Sequence, residues 1–244
     1  MDKVWKYMAM HHLQSLLYVA NKKSGILLIS FSQICHNLCC ECVLAGHTAV
    51  YIDTATEFDA QRMYNVVNGT VRARKLPDVA DDAVQQTVWL AMSHIQVMHV
   101  NSSFALIETL QALAATAQTE TNLNNQTDAP MRLIIIDNVA SLISILPDWK
   151  SDKIYFEQMS QIERCIARLR SHALNVVVVN HANRNHSAAL GRAASNFAHT
   201  RMRVDALPLF ENEMEPPFLA CIDRDSTGLA DRQCEFRVKH DGLL

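Results

Sequence analysis

An α/β fold with a mostly parallel, helix-covered sheet is the class this sequence predicts, and three observations predict it. Short apolar runs recur along the chain, helical spacings fill the intervals, and after residue 200 the pattern turns to alternation. Runs that are β-branched and apolar throughout suit strands buried on both faces. Strands alternating with helices imply βαβ units and a doubly wound sheet.

The runs 26–31 (ILLISF), 48–53 (TAVYID), 95–100 (IQVMHV), 133–137 (LIIID) and 175–180 (NVVVVN) are the expected parallel strands. Between them, Ile34, Leu38, Cys42 and Ala45 recur at helical spacing, as do Leu106, Leu110, Leu113 and Ala117, and Met159, Ile162, Ile166 and Leu169. Past residue 200, Met202, Val204 and Ala206 alternate with Arg201, Arg203 and Asp205. Runs 218–222 and 234–238 follow, set off by Pro216-Pro217 and Ser226-Thr227-Gly228, which predicts an antiparallel meander extending the sheet. The polar stretch 118–130 (QTETNLNNQTDAP) reads as a flexible surface loop and 78–82 as a surface connection. Residues 1–21 read as a helical N-terminal extension and 22–244 as one core domain. Val4, Tyr7, Met8, Leu16 and Leu17 stripe that extension, facing either its own domain or a partner.

Composition sets the class. A chain of 244 residues with 49% hydrophobic content can bury a substantial core. The net charge of −3 carries no global footprint for nucleic acid, so any such contact is local. Asp2, Lys3, Lys6, His11 and His12 break any apolar signal segment, and no run suits a membrane span. The seven Cys therefore read as reduced thiols of an intracellular protein. Cys35, Cys39 and Cys42 share a helix face, and His36 and Cys40 form a second pair four residues apart. Zinc usually draws its ligands from two elements, so these thiols read as small buried hydrophobes and no metal is expected. The basic run 71–75 (VRARK) reads as a solvated face.

Several segments carry a resemblance. Ser32-Gln33-Ile34-Cys35-His36 follows the first apolar run, and Tyr51-Ile52-Asp53-Thr54-Ala55 ends the second. Residues 131–138 (MRLIIIDN) form an apolar strand ending in Asp137. Then come 176–181 (VVVVNH), 196–201 (NFAHTR), Asp225-Ser226, Phe236 and Asp241-Gly242. In this order, over about residues 13–244, they resemble the core of the RecA-family recombinases, particularly the eukaryotic strand-exchange recombinase and its paralogues. The resemblance implies a RecA-like ATPase core with a degenerate phosphate loop.

In that family the first core strand enters a GxxxxGK[ST] loop whose backbone N–H groups and lysine hold phosphates. Here 25–31 leads directly into Ser32 without those glycines or that lysine, so the loop is expected to be missing. Ser32 reads as a helix N-cap, with residual Mg²⁺ binding the alternative the resemblance raises. Ala55 stands where the resemblance implies a water-positioning glutamate, and Glu57 is the alternative, shifted base. Asp137 matches the family's Mg²⁺-orienting acid and reads as a structural remnant or part of a partner contact. The two DNA-facing loops implied by the family supply Trp149, Lys150 and Lys153, and then Arg184 and Arg192, as candidates for single-stranded DNA. Asp225, Ser226 and Thr227 would cap ATP held by a neighbouring subunit, or simply join two strands. The implied protein is not an enzyme. It would bind no cofactor alone, pair with an ATP- and Mg²⁺-binding recombinase paralogue in the nucleus, and assist recombinase filaments on single-stranded DNA in homologous recombination repair. The alternatives are an ATPase with a noncanonical phosphate site or a standalone DNA-binding module. Without its partner, the chain would expose the N-terminal stripe and the junction at 31–34.

Overall fold

The computed structural model describes residues 16–21, 25–74, 80–122, 128–143, 153–182, 200–207, 217–224, 233–239 and 242–243. Strand β1 is Leu16–Asn21, followed by helix α1, Gly25–Leu44. Next come β2 (Thr48–Asp53), α2 (Ala60–Arg74), α3 (Asp81–Ser93), β3 (Ile95–His99) and α4 (Ser103–Asn122). The chain continues through β4 (Met131–Asp137), α5 (Val139–Ile143), α6 (Lys153–Ser171) and β5 (Asn175–Ala182). It ends in β6 (Thr200–Ala206), β7 (Pro217–Arg224), β8 (Gln233–Lys239) and the short β9 (Gly242–Leu243). Among the described residues the strands form one sheet in the order β3-β2-β4-β5-β1-β6-β7-β8-β9. Pairing is parallel from β3 to β6 and antiparallel from β6 to β9. The expected α/β class and C-terminal meander are therefore present, and β6 belongs to both regions.

The period-two geometry of a strand explains how the core divides. Ala49 and Tyr51, Leu133 and Ile135, and Val177 and Val179 face α1, α2 and α3. Their neighbours Val50 and Ile52, Ile134 and Ile136, and Val176 and Val178 face α4, α5 and α6. Each buried Val or Ile contributes about 1.5–3 kcal/mol, so unbroken apolar runs are what a sheet covered on both faces needs.

The first strand is the main correction. Residues 26–31 are not a strand but the first turns of α1, and the strand lies upstream in the segment expected to be a helical extension. The run ILLISF flows into SQICHNLCCECVL with no Gly or Pro between them, so it continues a 20-residue helix. By contrast LLYVAN is short and is closed by Lys22-Lys23-Ser24-Gly25. Ser32 lies inside α1 rather than at its N-cap, and Gln33 and Ile34 of the 31–34 junction are buried. Two polar segments are also helical where connections were expected. Gln118–Asn122 completes α4 and Asp81-Asp82 opens α3, because polarity marks exposure rather than backbone state. Residues 71–74 of the basic run end α2, with Val71 half-buried and Arg72 and Arg74 paired to Asp81 and Glu41.

Candidate functional site at the carboxyl edge of the sheet

In an open α/β sheet, ligands bind in the crevice outside the carboxyl ends of the parallel strands. Here β2 and β4 are neighbours in register, so their last residues, Asp53 and Asp137, stand side by side. Both occupy the strand parity that faces α1 and α2, and both are buried. Burial alone would make such a pair unfavourable, and the surrounding donors show how each is accommodated.

The backbone that follows β2 accommodates Asp53. Its Oδ1 accepts the N–H groups of Ala55 and Glu57 at 3.1 Å each, and its Oδ2 accepts that of Phe58 at 3.1 Å. His99 Nδ1 lies 3.4 Å from Oδ2, with its ring mostly exposed. The chain turns tightly round this carboxylate, and Thr56 takes φ 57°, a left-handed conformation unfavourable to a β-branched residue. Thr54 then straps β2 to β4. Its N–H donates to the Asp137 carbonyl at 2.8 Å and its hydroxyl to the Asn138 carbonyl at 2.6 Å. Asn138 Oδ1 accepts the Ser141 N–H at 2.8 Å, a side-chain cap on α5.

Asp137 has a different partner. The Tyr51 hydroxyl donates to its Oδ2 at 2.5 Å. Burial pushes the Asp137 carboxyl up to about 6; the Tyr51 hydrogen bond opposes this, and the charges of Glu57 and Asp53 reinforce it. The Tyr51 phenol is itself held well above its ordinary range, first by burial and then by the Asp137 charge.

Beside this pair, α1 presents Gln33, Cys35 and His36, all buried. Gln33 Oε1 accepts from Arg62 Nε at 2.7 Å, but Gln33 Nε2 and both His36 ring nitrogens find no hydrogen-bond partner among the described residues. The His36 ring packs edge-on against Phe58 at 5.4 Å and tilted to Tyr51 at 6.0 Å. Burial, aided by Arg62, lowers His36 to about 4, so it is neutral at physiological pH. Asn180, towards the end of β5, is likewise buried with both amide atoms unpartnered among the described residues.

No family model matches the chain, and no curated protein matches it.

The sequence-expected residues distribute as follows. Asp137 is brought into the cluster, Ala55 lies on the turn round Asp53, and Glu57 is exposed with its charge acting on Asp137. Lys153 is exposed at the start of α6. Trp149, Lys150, Arg184, Arg192, Asp225, Ser226 and Thr227 lie outside the described residues. The thiols of Cys35, Cys39 and Cys40 are buried in the core beneath α1, as small hydrophobes would be. Sequence reasoning missed Tyr51 and Asp53 as site residues. The shared parity of TAVYID and LIIID was the available signal, since it sends Tyr51, Asp53 and Asp137 to one face.

Proposed function

We propose that this chain is a RecA-type recombinase paralogue with a degenerate phosphate loop, acting as a non-catalytic subunit. On this reading it pairs with an ATP-binding paralogue in the nucleus and assists recombinase filaments on single-stranded DNA in homologous recombination repair. The observation that carries the reading is the length of one connection. Strand β1, set between β5 and β6, is separated from α1 in the sequence by three residues, Lys22-Lys23-Ser24. The GxxxxGK[ST] motif is about eight residues long and needs two glycines to turn its N–H groups onto phosphate. On this reading the degenerate loop would fall at 22–24, upstream of where the sequence resemblance put it.

The carboxyl-edge residues do not fit Mg²⁺-ATP. Asp137 is buried under the Tyr51 hydroxyl, Ala55 has no carboxylate, and the Asp53 carboxylate is occupied by backbone. Hydrolysis needs a positioned phosphate, charge neutralisation and an oriented nucleophile. A partner contact is supported by Phe104, Ile154 and Phe156, large apolar residues exposed at the starts of α4 and α6. These helix starts adjoin, because the Ser103 hydroxyl donates to Gln158 Oε1 at 2.9 Å.

A noncanonical ATPase is the second reading, and Lys22 and Lys23 at the β1–α1 connection are what favour it. Equilibrium titration of the pure chain with a fluorescent ATP analogue separates the two. Under the leading reading no saturable binding occurs at micromolar concentration. Micromolar binding that is lost on replacing Lys22 and Lys23 with alanine would establish the ATPase reading instead. The proposed cap on a partner's nucleotide is tested in the complex: D225A/T227A lowers the partner's ATP affinity while the complex stays intact.

A further inference from the structure

The opposite, amino edge of the sheet holds a cavity of about 370 Å³, remote from the Asp53–Asp137 cluster. It is lined by the last turns of α1 and the residues just after it, the end of α2, the beginning of β4 and the first residue of β5. Its size is at the low end for small-molecule pockets. Leu38, Leu44 and Leu133 supply an apolar wall.

The polar groups are few and unbalanced. Glu41 and Arg74 pair with each other, which cancels their charges. Arg132, on β4, also lines the cavity, is half-buried, and has no hydrogen bond or ion pair among the described residues. His47 also lines the cavity, but its Nδ1 is buried away from it. The remaining titratable group is the Cys42 thiol, which donates to the Thr48 carbonyl at 3.7 Å. Burial pushes that thiol up to about 12 and holds His47 below its ordinary value, the Arg132 charge adding to the latter, so both are neutral. One cation is thus left uncompensated against an apolar wall.

We infer that this cavity binds a small monocarboxylate with a short apolar tail, its carboxylate on the Arg132 guanidinium, its tail against Leu38, Leu44 and Leu133. A guanidinium fork matches a carboxylate in two parallel hydrogen bonds. The tail covers apolar surface that Arg132 alone leaves wet. A dianion is disfavoured because the Glu41 carboxylate shares the cavity.

The test is saturation-transfer NMR on the full chain with hexanoate, against 1-hexanol and hexylamine of equal length. Hexanoate is expected to bind at least about tenfold more tightly than hexanol, the usual worth of one charge-assisted hydrogen-bond pair. Hexylamine gives no transfer. R132Q abolishes the preference for hexanoate, and R132K keeps part of it. Equal binding of hexanol and hexanoate, unchanged hexanoate binding by R132Q, or no transfer from hexanoate at millimolar concentration each overturns the inference. Should circular dichroism show R132Q unfolded, the hexanoate–hexanol comparison and R132K decide the outcome.

Discussion

At the scale of single residues, two buried titratable groups on one face of the sheet pull stability in opposite directions with pH. The Asp137 carboxyl is raised from 3.8 to about 6, so the stability it contributes is complete below about pH 4 and is lost as pH rises through 6. His36 is lowered from 6.5 to about 4, so its contribution is held above pH 6.5 and is lost as pH falls through 4. Between these limits the two losses offset each other, and each variant uncovers the other group's slope. D137N keeps an acceptor for Tyr51 but removes the buried charge. It should be more stable than the parent at neutral pH by on the order of 2 kcal/mol, with the advantage vanishing as pH falls to about 4. H36L removes two unpartnered nitrogens and should stabilise by about 1 kcal/mol at neutral pH. It should also lose less stability than the parent on acidification. Urea unfolding across this pH range checks both, and a parallel response in the two variants would refute the assignment. The Tyr51–Asp137 bond could not be read as a pair from sequence, because it joins positions 86 residues apart. What could be read was parity, two alternating strands that each end in an acid.

At the scale of elements, the turn after β2 stores strain that its carboxylate holds in place. Asp53 accepts three backbone N–H groups and Thr56 sits in left-handed space. T56G should therefore stabilise by up to about 1 kcal/mol, since glycine adopts that conformation without steric cost. D53N, which loses charge and half of the acceptor capacity, should cost about 2 kcal/mol. Denaturant midpoints with unchanged slopes would confirm that the folded state alone is affected. Elements were legible where flanking punctuation agreed with the apolar pattern, as in TAVYID and LIIID. They were misread where pattern and punctuation parted: ILLISF has strand composition, but nothing stops it short of Leu44. The polar tail of α4 was misread for the converse reason. Thr119 and Thr121 bond back to the Ala115 and Ala117 carbonyls, and Gln118 accepts from Arg168 on α6, so the helix runs on into solvent. A contact made 50 positions away leaves no local trace.

At the scale of the whole molecule, two core layers flank one sheet, and the apolar residues left outside them are clustered. Phe104, Ile154 and Phe156 stand exposed at adjoining helix starts, while Trp89 and Leu90 are exposed on α3. If the first group meets a partner, F104S/F156S should release that partner in pull-down at an unchanged melting temperature, whereas W89S should not. Retention of the partner by F104S/F156S would move the interface elsewhere. Helix α1 has another consequence. Cys35, Cys39 and Cys40 lie along it in the core, and burial holds all three as neutral thiols, pushing Cys40 up to about 11 and the other two well above their ordinary value. A thiolate is the reactive form, so in the folded chain these sulfurs are chemically silent. The partly exposed Cys234 on β8 should take up an alkylating dye first. Modification of Cys35, Cys39 and Cys40 would then time how often α1 lifts from the sheet, making the helix a built-in clock for local opening.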